Sequence, residues 1–155
     1  MRTIWIVVAD AARAQILSKV EGTDGLSVVQ QLDNPLGRAH TADIVTDHPG
    51  RFEKHGSHMR SAADPPTDPH EQKAREFAHQ LNDLLNAAAV RGTYDMLALI
   101  APAHFLGLLR SGIKPATRRR LALYRANDLT QLSLTELQCH LGDLLRFPHA
   151  AVART

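Results

Sequence analysis

Residues Ile4–Ala9 form an unbroken apolar run, IWIVVA, that stops abruptly at Asp10. A strand with one wet face alternates apolar and polar residues; this run does not, and it is rich in β-branched side chains, so it reads as a strand buried on both faces. Such a strand lies inside a sheet with a layer packed on each side, which directs the chain to layered α/β architectures. A length of 155 residues is about one domain. With 44% hydrophobic and 22% charged residues, the chain needs neither disorder nor a disulfide scaffold to account for it.

Local signals supply the other elements. Asp10–Arg13 is a short connection, residues 14–20 read as a second strand, 21–25 as a polar turn with two glycines, and 26–32 as a third strand. Links this short make the three strands antiparallel neighbours. After Asp33 periodicity is lost, and residues 34–69 read as a long His-rich loop; loops beyond about 12–15 residues in compact domains are usually functional or disordered. Asp68-Pro69-His70-Glu71 combines an N-cap carboxylate, a first-turn proline and an early acid. The helix it opens buries a stripe through Ala74, Phe77, Ala78, Leu81, Leu84, Leu85 and Ala88, and Gly92 ends it.

Residues 95–101 form a fourth strand, made parallel to its neighbour by the crossover helix. A helix over 102–110, a fifth strand over 121–125 and a last helix opened by the capping box Ser133-Leu134-Thr135-Glu136 follow. The last helix should bury Leu134, Leu137, Leu141, Leu144 and Leu145, with 146–155 a flexible tail beyond a single 1–145 domain. The order predicts a ribonuclease H-like α/β domain with a mixed five-stranded sheet. In that topology Asp10, the 34–69 loop, His104 and Asp128 gather at the carboxyl ends of the strands, where open α/β sheets bind ligands. Arg110, Lys114, Arg118, Arg119 and Arg120 fall at the opposite end.

The residues at the carboxyl end admit two readings. Asp10 could be one of the carboxylates that a metal-dependent nuclease converges on its ions, but the fourth strand ends in Ala101-Pro102-Ala103-His104 without an acid. The simpler reading is a turn aspartate that accepts from its own backbone amides. Five of the nine histidines, His40, His48, His55, His58 and His70, lie between residues 40 and 70. His55 and His58 with Asp64, Asp68 or His70 could supply zinc ligands, but no spacing fixes their geometry, so solvated loop histidines are the simpler account and no metal is expected. Ser57, His55 and Asp64 have no nucleophile elbow around them, and the phosphate-loop, dinucleotide and zinc-protease motifs are absent, so no cofactor is expected.

Charge narrows the partners. Eighteen Lys and Arg against sixteen Asp and Glu leave +2 overall, but from Met96 to Asn127 there are six basic residues and no acid. That stretch suits phosphate backbones; its structural alternative is helix-end arginines meeting carbonyls. Seven aromatics, several of them core residues by pattern, make a base-stacking platform doubtful. The single cysteine, Cys139, fits a reducing compartment, the amino-terminal apolar run is too short for a signal-peptide core, and no window reaches membrane-spanning length. A cytoplasmic location without membrane contact is expected, and an oligomer is left open.

Several blocks together resemble a known family. They are WIVVADAARAQI from Trp5, Asn34-Pro35, Asp47-His48-Pro49-Gly50-Arg51, Phe77, and Leu99-Ile100-Ala101-Pro102 followed by Phe105-Leu106-Gly107-Leu108-Leu109-Arg110. The chain is similar over about residues 2–145 to the bacterial host-attachment proteins. That family is in turn similar to the middle domain of eukaryotic and archaeal peptide-release factors and of Pelota, which implies the same ribonuclease H-like fold. Release factors carry Gly-Gly-Gln in the loop before the long helix; here the stretch reads Lys54-His55-Gly56-Ser57-His58-Met59-Arg60, so peptide release by that mechanism is not implied. The family name implies a role in adhesion to host cells, most easily as a downstream effect of a cytoplasmic protein.

The expectation is a non-enzymatic module that binds the ribosome or structured RNA. Its candidate contacts are Lys54, His55, His58, Arg60, Asp10, Asp47, Arg51, His104, Arg118, Arg119 and Arg120. A metal-assisted hydrolase using the loop histidines with Asp10, Asp47 and His104 is the enzymatic alternative. A protein-interaction factor influencing adhesion is the third.

Overall fold

The computed structural model describes residues 1–38 and 68–142. Its strands are β1 (Thr3–Ala9), β2 (Arg13–Val20), β3 (Ser27–Asp33), β4 (Met96–Ala101) and β5 (Leu121–Ala126). Its helices are α1 (Pro35–Arg38), α2 (Pro69–Arg91), α3 (Ala103–Ser111), α4 (Pro115–Arg118) and α5 (Leu134–Leu141). The sheet order is β3-β2-β1-β4-β5. β1 pairs antiparallel with β2 and parallel with β4, β2 pairs antiparallel with β3, and β4 pairs parallel with β5. Three antiparallel strands followed by two parallel ones, with helical crossovers, make the ribonuclease H-like sheet that the sequence predicts.

β1 is central and divides the interior. Trp5, Val7 and Ala9 enter one core with Phe77, Leu81 and Leu85 of α2 and Phe105 and Leu109 of α3. Ile4, Ile6 and Val8 enter a second core with Leu137 and Leu141 of α5. Each large apolar side chain so buried contributes roughly 1.5–3 kcal/mol, which is why the run carries no polar residue. In the first core the Trp5 and Tyr94 rings stack at 4.8 Å, and the buried Tyr94 hydroxyl donates to the Leu85 carbonyl at 2.9 Å.

α2 forms as its sequence requires. Asp68 caps it by accepting from the His70 amide at 3.0 Å, Pro69 stands at its first position, and Gly92 ends it with φ 75°. One buried polar residue lies beside the apolar stripe: the Asn82 amide donates to the Leu109 carbonyl at 3.1 Å, near the end of α3. At the far end Ser133 and Glu136 form the predicted capping box of α5, with bonds of 2.8 and 3.1 Å. Leu137 and Leu141 are fully buried and Leu134 partly so, while Leu144, Leu145 and the tail lie outside the described residues.

The structure corrects several boundaries. β2 begins at Arg13 rather than Ala14, and β3 runs 27–33 rather than 26–32, because Leu26 turns inward to the second core. β5 extends one residue past the predicted end, to Ala126. Asp95 precedes β4 rather than opening it. Its amide donates to the Thr3 carbonyl and its carboxylate accepts from the Thr3 amide, each at 2.8 Å, so it clamps the start of β1 instead of joining the ladder. The last predicted helix residue before Gly112 shifts by one, α3 ending at Ser111. Two short helices were not expected. α4 begins at Pro115, and α1 lies inside the predicted loop, where Pro35 presets the helical φ.

α1 belongs to a seam at the carboxyl end of the sheet. The Asn34 amide nitrogen donates to the Ala11 carbonyl at 2.9 Å and to the Lys73 carbonyl at 3.2 Å, tying the β1–β2 turn to the first turns of α2. Gly37 packs so closely there that a Cβ would run into the Ala11 carbonyl and come within 2.6 Å of the Asn34 amide.

Gly37→Ala is therefore expected to destabilise the domain by about 1–3 kcal/mol through overpacking, read as a lower denaturation midpoint. Asn82→Ala removes a buried donor from the end of α3 and is expected to cost about 1–3 kcal/mol. At roughly 2–4 °C per kcal/mol for a domain of this size, a calorimetric melting temperature equal to that of the parent chain would contradict either assignment.

Candidate functional site

The two ends of the sheet differ in chemistry as the sequence predicts. At the carboxyl end β1 stops because Asp10 turns the chain. Its Oδ1 accepts from the Ala12 and Arg13 amides at 2.7 and 2.8 Å, and its own amide donates to the Arg13 carbonyl at 2.8 Å. The turn-residue reading of Asp10 describes this geometry. Its other oxygen lies 2.9 Å from the Thr130 hydroxyl, which is also 2.9 Å from Asp128 Oδ1. One hydroxyl proton serves one of these carboxylates at a time, so Thr130 links the ends of β1 and β5 across both acids.

His104, at the start of α3, meets an acid from another element. Its Nε2 is 2.7 Å from Glu71 Oε1, and the second Glu71 oxygen lies 3.2 Å from Arg75 Nε. The arrangement joins the first turns of α2 and α3. With 69% of the His104 side chain accessible, such a pair contributes about 0–1 kcal/mol. Asp10 and His104 thus sit at the same end, each with its own partners, and no hydrogen bond or ion pair joins them among the described residues. Among those residues no group of three or more His, Cys, Asp and Glu is placed to hold a metal ion. Asp47, Arg51, Lys54, His55, His58 and Arg60 lie outside the described residues.

The amino-terminal end carries the basic stretch. Arg118 Nη2 donates to the Ile113 carbonyl at 3.3 Å, and Arg120 Nη1 donates to the Tyr94 carbonyl at 3.0 Å. The Arg110 guanidinium lies over the Tyr124 ring at 3.9 Å, and Lys114 Nζ is 3.5 Å from Asp83 Oδ1. Arg119 is exposed and its side chain has no partner among the described residues. With Arg120, Asp95 and the end of α2 it lines an open cleft of about 490 Å³. Here the Tyr94 hydroxyl is held above its ordinary pKa, chiefly by burial, so it stays a neutral donor.

Sequence reasoning placed Asp10, His104 and Arg118–Arg120 at their ends of the sheet and missed the groups that fix them. In the sequence Glu71 reads as a helix-start residue, although an acid in a first turn facing a histidine in the next helix is a detectable pattern. Asn34-Pro35 signals an α1 start, but nothing in the sequence shows that the Asn34 amide reaches Lys73.

Solved structures resemble this chain only distantly. One is described as an archaeal protein, at 13% identity and TM-score 0.47, covering 92% of this chain and 34% of that one. Another is an archaeal translation termination factor, at 14% identity and TM-score 0.43, covering 92% and 39%. A third is the Ppx/GppA phosphatase of Aquifex aeolicus, at 8% identity and TM-score 0.42, covering 81% and 36%. The chain therefore spans less than two-fifths of each of these proteins. No curated protein matches the sequence. The family model "Protein required for attachment to host cells" matches residues 5–141, from β1 to the end of α5, and the chain belongs to that family.

Proposed function

We propose that the protein is a non-enzymatic cytoplasmic module that binds structured RNA, on the ribosome above all, through the basic end of its sheet. The observation that carries this reading is Arg119, exposed and without a side-chain partner among the described residues, beside Arg118 and Arg120 within a stretch of six basic residues and no acid. Arg118 and Arg120 are held by carbonyls, which fixes them without neutralising them. Guanidinium groups arrayed in this way suit phosphate oxygens, and each phosphate contact releases counterions. Arg51, Lys54 and Arg60, with His55 and His58, are further candidate contacts by sequence alone.

The opposite end supports a binding role over an enzymatic one. Asp10 is engaged in a turn, and the His104 ring nitrogen is engaged by Glu71, with no nucleophile hydrogen-bonded to it among the described residues. Attachment to host cells is then a consequence of what the protein binds inside the cell.

In sucrose gradients of cell lysate, the untagged protein is expected to comigrate with ribosomal particles at low salt and to leave them at high salt. For the purified chain and tRNA, Arg119→Ala is expected to reduce the slope of log affinity against log salt by about 0.7–0.9, one phosphate contact, without changing the melting temperature. Protein at the top of the gradient in both salts, with no tRNA affinity at low salt, would overturn the reading.

A further inference from the structure

α5 covers only part of its face of the sheet, and the uncovered part forms a second cleft, of about 550 Å³. Its volume falls within the range of small-molecule sites, roughly 300–1,000 Å³. Val8 lines it, and register places Gln15 opposite Val8, Gln31 opposite Gln15, and Asp33 opposite Arg13. Cross-strand partners share a face, and residues two apart on a strand do too. Arg13, Gln15, Gln31 and Asp33 therefore stand together on the α5 side, with Gln131 on the facing wall.

The polar groups around this cleft divide into two sets. Thr130, Ser133 and Glu136 are engaged in the Asp10 bridge and the capping box. The side chains of Arg13, Gln15, Gln31, Asp33 and Gln131 have no hydrogen-bond or ion-pair partner among the described residues. Arg13 Nε is moreover closed off from solvent with no acceptor, an arrangement that native structures rarely leave without a reason. Arg13 and Asp33 are cross-strand partners yet form no ion pair.

We propose that this cleft binds a zwitterionic amino acid or short peptide. The ligand carboxylate lies on the Arg13 fork, which matches it bidentately. The ammonium group faces Asp33, and the amides of Gln15, Gln31 and Gln131, each both donor and acceptor, meet the ligand's amide groups. Charge favours this class over a nucleotide. Asp33 and Glu136 line the same cleft as Arg13, so a phosphate would face two acids for one cation. No aromatic side chain is among the described lining residues, so a base would find no ring to stack on. The site is separate from the basic end of the sheet, and its occupation does not depend on RNA binding there.

The test is an NMR titration of the full isotope-labelled chain with glycylglutamine, with N-acetylglutamine amide, which carries neither charge, and with AMP. Glycylglutamine is expected to shift the side-chain signals of Gln15, Gln31, Gln131 and Arg13 saturably in the millimolar range, and the uncharged analogue to bind at least about tenfold more weakly. Arg13→Lys keeps the charge, loses the fork and is expected to weaken binding about tenfold. Gln131→Ala, at an exposed loop position, should weaken it without disturbing the fold. Absence of saturable shifts with glycylglutamine, equal binding of the uncharged analogue, or saturation by AMP in its place would each overturn the proposal. Arg119→Ala should leave this titration unchanged, so its outcome and that of the RNA experiment are read separately.

Discussion

Burial of β1 on both faces is the constraint from which the rest of the molecule follows. Because Trp5, Val7 and Ala9 need one apolar layer and Ile4, Ile6 and Val8 another, the chain has to supply helices to both sides of the strand. α2 and α3 meet the first need and α5 the second. A crossover helix on one side in turn makes β4 run parallel to β1. Once β1 and β4 point the same way, the turn at Asp10 and the start of α3 at Ala103 open at one end, and the beginnings of both strands lie at the other. The chemical division of the molecule follows from the packing of six apolar residues.

Each end is then shaped by hydrogen bonds that local sequence does not reveal. Asp10 holds the β1–β2 turn, Thr130 ties that turn to Asp128, and Asn34 ties it to Lys73. These side chains maintain the end of the sheet. The cleft next to them is different in kind, since the side chains of Arg13 and of three glutamines have no partner among the described residues. At the basic end the same contrast recurs: Arg118 and Arg120 hold carbonyls, and Arg119 has no partner among the described residues.

Much of the architecture was legible because it rests on local periodicity and capping. The α2 stripe with its Asp68 cap and Gly92 stop, the Ser133–Glu136 box and the double-faced β1 are all short-range patterns, and their elements stand where the sequence puts them. What escaped depended on contacts between distant segments. Asn82 reads as a polar neighbour of the helical stripe, and only the approach of α3 brings the Leu109 carbonyl to it. Asp95 reads as a strand residue until Thr3 supplies both of its backbone partners. The α1 and α4 helices are too short for any period to show.

The sequence by itself determined the layered α/β class with helices on both faces of the sheet, the order of the main strands and helices, and the segregation of the Arg110–Arg120 basic residues to one end of the sheet, because hydrophobic period and turn chemistry are carried within a few residues. Only the tertiary structure decided which polar groups are engaged and which are open to a ligand. Whether Asp10, Glu71 or Arg13 has a partner depends on residues far away in the chain, and it is folding that brings those residues within hydrogen-bond distance.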